Sequence, residues 1–313
     1  FTTNNQALIV AAAGETLTTS NVVNQAGGIL RADGGTLNLG GTWSNPAGTI
    51  DVLGGILNLG GTFSSFGAFS RTSGTAGTVN LNGTFNLGAG NTFDFNNSTG
   101  VFNLNGGTIN GGTLQKTGIG NLAVTANSTL NDVTLNMDLS LGAGRTLFVG
   151  DGADADAFGL TLAAGRTLHL QGAGSGVTWT TDQTMNGSGT VLFEGTNNFF
   201  SGQFGGQVVT LATGLTVSGN GAGTSGSIGS SFFTTNNQAL IVAAAGETLT
   251  VTGSTITNTG TLRATGGGNM TVSGLASSAG TIDIGAGSTF STNNNDLINT
   301  GTILGGGTLK LVN

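Results

Sequence analysis

A short glycine-bounded segment recurs along the first third of the chain and constrains the fold more than any other sequence feature. It reads GTLNLGG at 35–41, GILNLGG at 55–61, GTVNLNG at 77–83 and GVFNLNG at 100–106. Alternate side chains of a β-strand point to opposite faces, so each segment presents two apolar residues inward and one asparagine outward. The step from one segment to the next is about 20–23 residues, which is typical of one coil of a β-solenoid rather than one hairpin of a sandwich.

The glycine content supports a solenoid when it is considered together with the hydrophobic pattern. Glycine supplies 60 of the 313 residues, and the chain has a single proline. Disorder is also typical of glycine-rich chains, but here 37% of the residues are hydrophobic and they alternate, which favours burial. Collagen is excluded because glycine does not occupy every third position. We therefore predict an all-β fold, a parallel β-helix (β-solenoid) with coils of about 20–23 residues, glycine corners and outward Asn and Thr ladders.

The pattern continues beyond residue 106 with more variation. GRTLFVG at 144–150 and GRTLHLQ at 165–171 lie about one coil length apart, which predicts that Leu147 stacks on Leu168. The six phenylalanines between residues 63 and 95 are expected to fill the interior as stacked ladders, rather than to form a ligand platform.

A second, longer repeat lies over the short one. The text FTTNNQALIVAAAGETLT at 1–18 returns letter for letter at 233–250. We therefore predict a long repeat unit at 1–232 and the start of a second unit at 233–313, both within one continuous rod. Solenoids tolerate such duplication because each coil contacts only its neighbours. The expected partners are further repeat units, or other copies of the chain, that stack end to end.

Charge and cysteine usage argue against several kinds of partner. The net charge is −7 with only seven Lys and Arg, so the basic surface that nucleic-acid binding requires is not expected. No apolar run approaches the length of a membrane span, and we predict no membrane insertion by this segment. The chain has no cysteine, which excludes disulfides and thiolate metal sites.

One acidic loop is a candidate metal site. Asp151, Asp154 and Asp156 lie close together in a Gly/Ala-rich stretch, and three carboxylates there are able to supply oxygen ligands for calcium. The spacing is neither that of an EF-hand nor that of a calcium-binding nonapeptide repeat. A solvated acidic loop is the alternative, and it is the interpretation that the spacing favours. No other cofactor is expected.

The residues do not suggest catalysis, and we predict that the chain is not an enzyme. His169 is the single histidine, and alternation places it on the outward face, opposite to Leu168 and Leu170. The carboxylates are mostly singletons about a coil apart, whereas glycoside hydrolysis needs a facing pair. A β-helix polysaccharide lyase or hydrolase is the remote alternative.

An outward threonine ladder that matches a crystal or ice lattice is a third class of function. Thr36 and Thr78 precede inward residues in their segments, but Ile56 and Val101 occupy the equivalent positions in the neighbouring segments. Variable coil lengths argue further against a regular lattice. Outward threonine is common in strands, which favours an ordinary solvent-facing surface.

The segment at 111–124, GGTLQKTGIGNLAV, resembles the autotransporter-associated β-strand repeat, whose consensus is Gly-Gly-x-Leu-x-Lys-x-Gly-x-Gly-x-Leu-x-Leu. Seven consensus positions match, and Val124 replaces the last leucine. The surrounding Gly/Thr/Asn-rich text is similar to that of filamentous-haemagglutinin-like and passenger-domain adhesins. The resemblance implies a right-handed parallel β-helix, export to the bacterial cell surface, and adhesion or matrix building.

These observations together predict a structural and adhesive rod. We expect a segment of a large repetitive secreted bacterial surface protein that forms an extracellular fibre or a biofilm matrix filament. The alternative is a passenger or stalk adhesin that binds glycans of a host or of another surface.

Overall fold

A computed structural model describes residues 1–72, 75–151, 158–293 and 297–312. The chain is an all-β solenoid in which parallel strands stack in about 14 coils, which confirms the predicted fold class. None of the described residues forms a helix that is long and apolar enough to cross a membrane. The chain divides into two compact units, Phe1–Thr134 and Leu135–Asn313. The predicted boundary at 232/233 concerns the sequence duplication, and it stays a prediction.

The first unit consists of short parallel strands. They are β1 (Thr3–Asn5), β2 (Leu8–Ala12), β3 (Thr16–Ser20), β4 (Val22–Asn24), β5 (Ile29–Asp33), β6 (Thr36–Gly40), β7 (Thr49–Val52), β8 (Ile56–Leu59), β9 (Thr62–Phe63), β10 (Ala68–Arg71), β11 (Thr78–Leu81), β12 (Thr84–Asn86), β13 (Thr92–Phe95), β14 (Val101–Leu104), β15 (Thr108–Asn110), β16 (Thr113–Lys116), β17 (Asn121–Val124), β18 (Ser128–Asn131) and β19 (Val133–Asn136), the last of which contains the unit boundary.

Most strands of the second unit are also short, and three of them have ten or more residues. They are β20 (Leu139–Leu141), β21 (Thr146–Gly150), β22 (Phe158–Leu162), β23 (Thr167–Leu170), β24 (Gly176–Trp179), β25 (Gln183–Gly187), β26 (Thr190–Phe193), β27 (Asn198–Gly202), β28 (Val208–Leu211), β29 (Thr216–Gly219), β30 (Ser225–Asn237), β31 (Leu240–Ala243), β32 (Thr248–Asn258), β33 (Thr261–Ala264), β34 (Asn269–Ser278), β35 (Thr281–Ile284), β36 (Thr289–Asn293), β37 (Thr302–Gly305) and β38 (Thr308–Val312).

Within the first unit, the recurring glycine-bounded segments stack on one face. Its strand order is β3-β6-β8-β11-β14-β17, and the register aligns Leu37, Leu57, Val79 and Phe102 in one inward column. A second face carries β2-β5-β7-β10 and a third carries β9-β12-β15-β18. Each regular coil therefore contributes about one strand to each of three faces. The spacing between the recurring segments was predicted to be one coil, and the register confirms it.

In the second unit, β20-β23-β26-β29-β31-β33-β35-β37 form the equivalent face. Leu139 pairs with Leu168, and Val191 pairs with Val217, so each of these coils is longer than any coil between the recurring segments of the first unit. In the coil between Val191 and Val217 the strands remain in register, since the additional residues lie in the turns between its strands. Coils therefore exceed the predicted length where a turn is enlarged, and the stacking itself is unaffected.

The stacking predicted for the two GRTL segments is wrong. Leu147 pairs with Val177 on one face, whereas Leu168 lies on another face and pairs with Leu139 and Val191. A glycine turn followed by a strand occurs at several corners of the same coil. A spacing close to one coil therefore does not prove that two such segments stack.

Asparagine ladders link successive coils both on the outer surface and in the interior of the first unit. On the outer face, Nδ2 of Asn58 donates to Oδ1 of Asn38 at 2.7 Å, and Asn80 donates to Asn58 at 2.8 Å. This outward ladder confirms the sequence prediction. A second ladder is internal: Asn5 donates to Asn24 and Asn24 donates to Asn45, each at 2.8 Å. Asn24 and Asn45 are fully buried, so this ladder satisfies polar groups that water does not reach.

Aromatic rings fill the interior of the first unit, as the sequence predicts. Trp43 stacks on Phe63 with ring centroids 4.3 Å apart, and Phe63 stacks on Phe85 at 5.0 Å. Phe66 packs edge-on against Phe63 and Phe85. The column stiffens the coils that carry it, because ring contacts add to the burial of apolar area.

The two copies of the duplicated segment form matching strands in different surroundings. Glu15, which follows β2, is exposed, whereas its equivalent Glu247, which follows β31, is fully buried. Leu17 is half-buried and its equivalent Leu249 is fully buried. The same residues therefore fold in the same way locally, and the packing of neighbouring coils decides how deeply they are buried.

Candidate functional site

The predicted calcium loop is described only at its first residue. Asp151 is exposed, and Asp154 and Asp156 lie outside the described residues. Across the described ranges, no group of three or more His, Asp or Glu side chains is arranged to hold a metal ion. The calcium site at Asp151, Asp154 and Asp156 stays a prediction.

His169 lies outward beside a carboxylate. Its Nδ1 is 3.2 Å from Oε2 of Glu194, although the geometry does not form a hydrogen bond. Ser140 is its register neighbour on the adjacent strand. The backbone N–H groups of Gln171 and Glu194 already donate to the carbonyls of the preceding coil, at 2.7 and 3.0 Å. They are therefore not free to stabilise an oxyanion, which acyl transfer through a serine and a histidine requires.

Glu247 is a buried carboxylate that closes a turn. Its Oε2 accepts hydrogen bonds from the backbone N–H groups of Ala244 at 2.9 Å and Gly219 at 3.0 Å. Burial raises the pKa of Glu247, and these two backbone hydrogen bonds oppose that shift. Oε1 has no hydrogen-bond partner in the described structure. The group holds two coils together through a single oxygen, and its burial carries a desolvation cost.

A groove of about 340 Å³ lies on the outer surface of the first unit. Its polar lining includes Thr42, Ser44, Thr62, Ser64 and Asn86, and we call it the hydroxyl groove. Its residues come from successive coils because Thr42 pairs with Thr62, and the strand carrying Thr62 pairs with the strand that ends at Asn86.

The sequence repeats Thr-aromatic-Ser at the floor of the hydroxyl groove. The segments are Thr42-Trp43-Ser44 and Thr62-Phe63-Ser64, one coil apart in the register of Thr42 and Thr62. Alternation buries the two aromatic rings and turns the four hydroxyl-bearing residues outward. The stacked rings beneath the floor fix the backbone of both strands, and thereby the positions of the hydroxyl groups.

The polar groups of the hydroxyl groove have few partners within the protein. The hydroxyls of Thr42, Ser44, Thr62 and Ser64 make no hydrogen bond among the described residues. Oδ1 of Asn86 accepts a hydrogen bond from Asn110 at 2.7 Å, and its Nδ2 has no partner in the described part of the chain. No residue that lines the groove is charged. The surface therefore offers neutral donors and acceptors in fixed positions.

Sequence reasoning missed these residues, although a signal was present. The threonines considered for a lattice included Thr36 and Thr78, whose column is interrupted by Ile56 as expected. An unbroken column lies on another face and contains Thr42, Thr62, Thr84, Thr108 and Thr129. Register comes from pairing and not from equal coil lengths, so the variable spacing did not prevent this column.

The resemblance at 111–124 has a physical basis in the turn geometry. Gly111, Gly112 and Gly118 have φ values of 71°, 79° and 68°, which favour glycine. Leu114 and Leu122 are fully buried, in β16 and β17. Such a pattern of turns and strands is also expected of any solenoid with short corners. The sequence matches no family model, and no curated protein and no solved structure matches it. The relation to autotransporter and haemagglutinin-like repeats therefore stays a prediction.

Proposed function

We propose that this chain is a structural rod segment of a repetitive bacterial surface protein, in which stacked coils act as a stiff spacer or filament. The observation that carries the proposal is the use of polar side chains for links between coils. In the first unit alone, an outer ladder joins Asn38, Asn58, Asn80 and Asn103, and an inner ladder joins Asn5, Asn24 and Asn45. Ladders of this kind stiffen a stack along its axis, because each coil is tied to the next by side chains as well as by backbone.

Extension by further coils is part of this proposal. β37 and β38 expose apolar side chains that continue inward columns, with Ile303 exposed by 40% and Leu311 by 63%. The duplicated segment supports the reasoning, because Leu17 is half-buried whereas its equivalent Leu249 is fully buried where coils pack on both sides. A neighbouring repeat unit, or a second copy, that stacks in the same register would bury these side chains and pair the strand edges.

Electron microscopy of the purified chain tests the rod. We expect elongated particles whose diffraction or layer lines show an axial repeat of about 4.8 Å, the spacing between hydrogen-bonded strands. Particles that associate end to end into filaments at high concentration would support extension. Round particles, or two lobes joined by a flexible connection, would contradict a stiff spacer.

Surface location requires a separate experiment. We propose, on the basis of the resemblance at 111–124, that the segment lies outside the cell. An antibody against the purified chain is expected to label intact producing cells, and externally added protease is expected to remove that label. Labelling only after permeabilisation would refute the proposed location without affecting the rod.

A further inference from the structure

The hydroxyl groove carries polar groups that the fold does not use. The outer asparagine ladder engages its amides in hydrogen bonds between coils. By contrast, the hydroxyls of Thr42, Ser44, Thr62 and Ser64 have no partner among the described residues. A row of fixed hydroxyls that the stack does not need is free to bind a ligand.

The shape of the groove suits an extended molecule that runs along the coil axis. Val23, Ser44, Ser64 and Asn86 lie on four successive coils, which corresponds to about 14 Å at the usual strand spacing of about 4.8 Å. The backbone of the floor is already paired: Trp43 N–H donates to the Thr62 carbonyl at 3.0 Å, and Thr62 N–H donates to the Gly41 carbonyl at 2.7 Å. A peptide that adds as a strand therefore finds no free backbone ladder here.

The chemistry of the lining narrows the class of ligand further. Charged ligands have no counter-ion in the groove, because none of its lining residues is ionisable. Each Ser or Thr hydroxyl both donates and accepts, which is also true of each hydroxyl of a sugar. Val23 contributes apolar area beside the hydroxyls, which suits the C–H face of a pyranose ring.

We propose that the hydroxyl groove binds a neutral oligosaccharide, with the chain of sugar rings lying parallel to the coil axis. Thr42, Thr62 and Ser64 exchange hydrogen bonds with sugar hydroxyls, and Nδ2 of Asn86 donates at one end of the groove. This site goes beyond the proposed rod, since a rod needs no ligand, and either idea can fail without the other.

The sequence duplication provides an internal comparison. When the copy at 233–250 is aligned with 1–18 and the alignment is continued, Gly274 and Ala276 stand where the groove has Thr42 and Ser44. The second copy therefore lacks two of the groove's hydroxyls, although it repeats the text of 1–18 without change. We expect the binding stoichiometry to be one oligosaccharide per chain.

The test uses the whole chain and two double variants. T62V/S64A removes two groove hydroxyls while it preserves the β-branched side chain at position 62. T108V/T129V is the matched control, because Thr108 and Thr129 belong to the same column as Thr62 and lie outside the groove. Binding is measured by isothermal titration calorimetry and saturation-transfer NMR. The ligands are neutral oligomers of glucose, mannose and N-acetylglucosamine, with oligogalacturonate as the charged comparison.

We expect at least one neutral series to bind, with affinity that increases up to about three or four sugar units, the length of the groove. T62V/S64A is expected to weaken binding about tenfold, or about 1.4 kcal/mol, and T108V/T129V to leave it within about twofold. A failure of all neutral series to bind, preferential binding of oligogalacturonate, or equal losses in both variants would overturn the proposal.

A blocking variant keeps the test valid if T62V/S64A does not fold. Ser64 is exposed, so S64F places a large side chain into the groove without entering the core. S64F is expected to abolish binding while the urea midpoint stays within error of wild type. Undiminished binding by a folded S64F variant would place the oligosaccharide elsewhere and refute the assignment.

Discussion

Replacing Asn24 by alanine should show how strongly the internal ladder holds the coils together. Nδ2 of Asn24 donates to Oδ1 of Asn45 at 2.8 Å and to the Thr49 carbonyl at 3.1 Å, and its Oδ1 accepts from Asn5 at 2.8 Å. N24A removes all three hydrogen bonds in a region that is fully buried. At about 1 kcal/mol per bond, the expected loss is about 3 kcal/mol, and the amide groups left unpaired do not recover it from water.

The matched comparison is N58A in the outer ladder. Asn58 also bridges two coils, through hydrogen bonds of 2.7 and 2.8 Å, but it is only partly buried. Water is able to replace those bonds, so we expect a loss of less than about 1 kcal/mol. The difference of about 2 kcal/mol between the variants reflects the burial of Asn24 together with its one additional hydrogen bond, to the Thr49 carbonyl.

Native-state hydrogen exchange followed by mass spectrometry is the appropriate assay, since coils of a solenoid open locally rather than as one unit. The backbone amides of Asn24 and Gln25 donate to the Ser44 and Asn5 carbonyls, both at 2.9 Å, and they report on this region. In N24A their exchange should accelerate about a hundredfold, which corresponds to about 3 kcal/mol. If N24A accelerates local exchange no more than N58A does at its own coil, the internal ladder does not have the stabilising role inferred here.

Two further predictions concern the buried carboxylate Glu247 and the turn glycines Gly55 and Gly14. Burial raises the pKa of Glu247 above its ordinary 4.5. As the pH rises, Glu247 therefore loses its proton in the unfolded chain before it does so in the folded chain. The wild-type protein loses stability over this range, until the pH reaches the pKa of Glu247 in the folded state. E247Q should therefore gain stability relative to wild type in urea titrations as the pH rises above about 4.5, and a difference between the two that does not change with pH would contradict this reasoning. In the turns, G55A should cost at least twice the roughly 1–2 kcal/mol of G14A. Both glycines have positive φ, but a Cβ at Gly55 would lie 2.0 Å from the Gly35 carbonyl oxygen, whereas none of the described atoms lies within 4 Å of a Cβ at Gly14. Equal urea midpoints for G55A and G14A would contradict the steric argument.

The fold was predictable because two signals in the sequence are periodic. Alternation within a strand assigned Leu57 to the interior and Asn58 to the surface, and the step between segments gave the coil. Both signals depend only on backbone geometry, so distant packing does not override them. The outer asparagine ladder followed from the same register.

The sequence was less informative about the face on which a strand lies and about its stacking partners, because both depend on which corner of a coil the segment follows. Leu147 and Leu168 follow the same letters, yet they lie on different faces. The internal ladder was missed because Asn5 and Asn24 stand at strand ends, where an asparagine is more often part of an exposed turn. Burial of Glu247 was also unpredictable, because the identical sequence around Glu15 leaves that carboxylate exposed.

The register of the strands does not depend on the lengths of the turns, and this explains how a repetitive scaffold can carry a unique surface. Enlarged turns leave the strands aligned, as the long coil between Val191 and Val217 shows. Inward positions are constrained by neighbouring coils, whereas outward positions such as Thr42 and its equivalent Gly274 differ between the two copies. A duplicated solenoid therefore retains its stacking through the inward residues and the turn glycines, and its outward residues can diverge one coil at a time. On this reasoning, a ligand site is best sought where outward hydroxyls are aligned by register and are not engaged in ladders, which is the arrangement found in the hydroxyl groove.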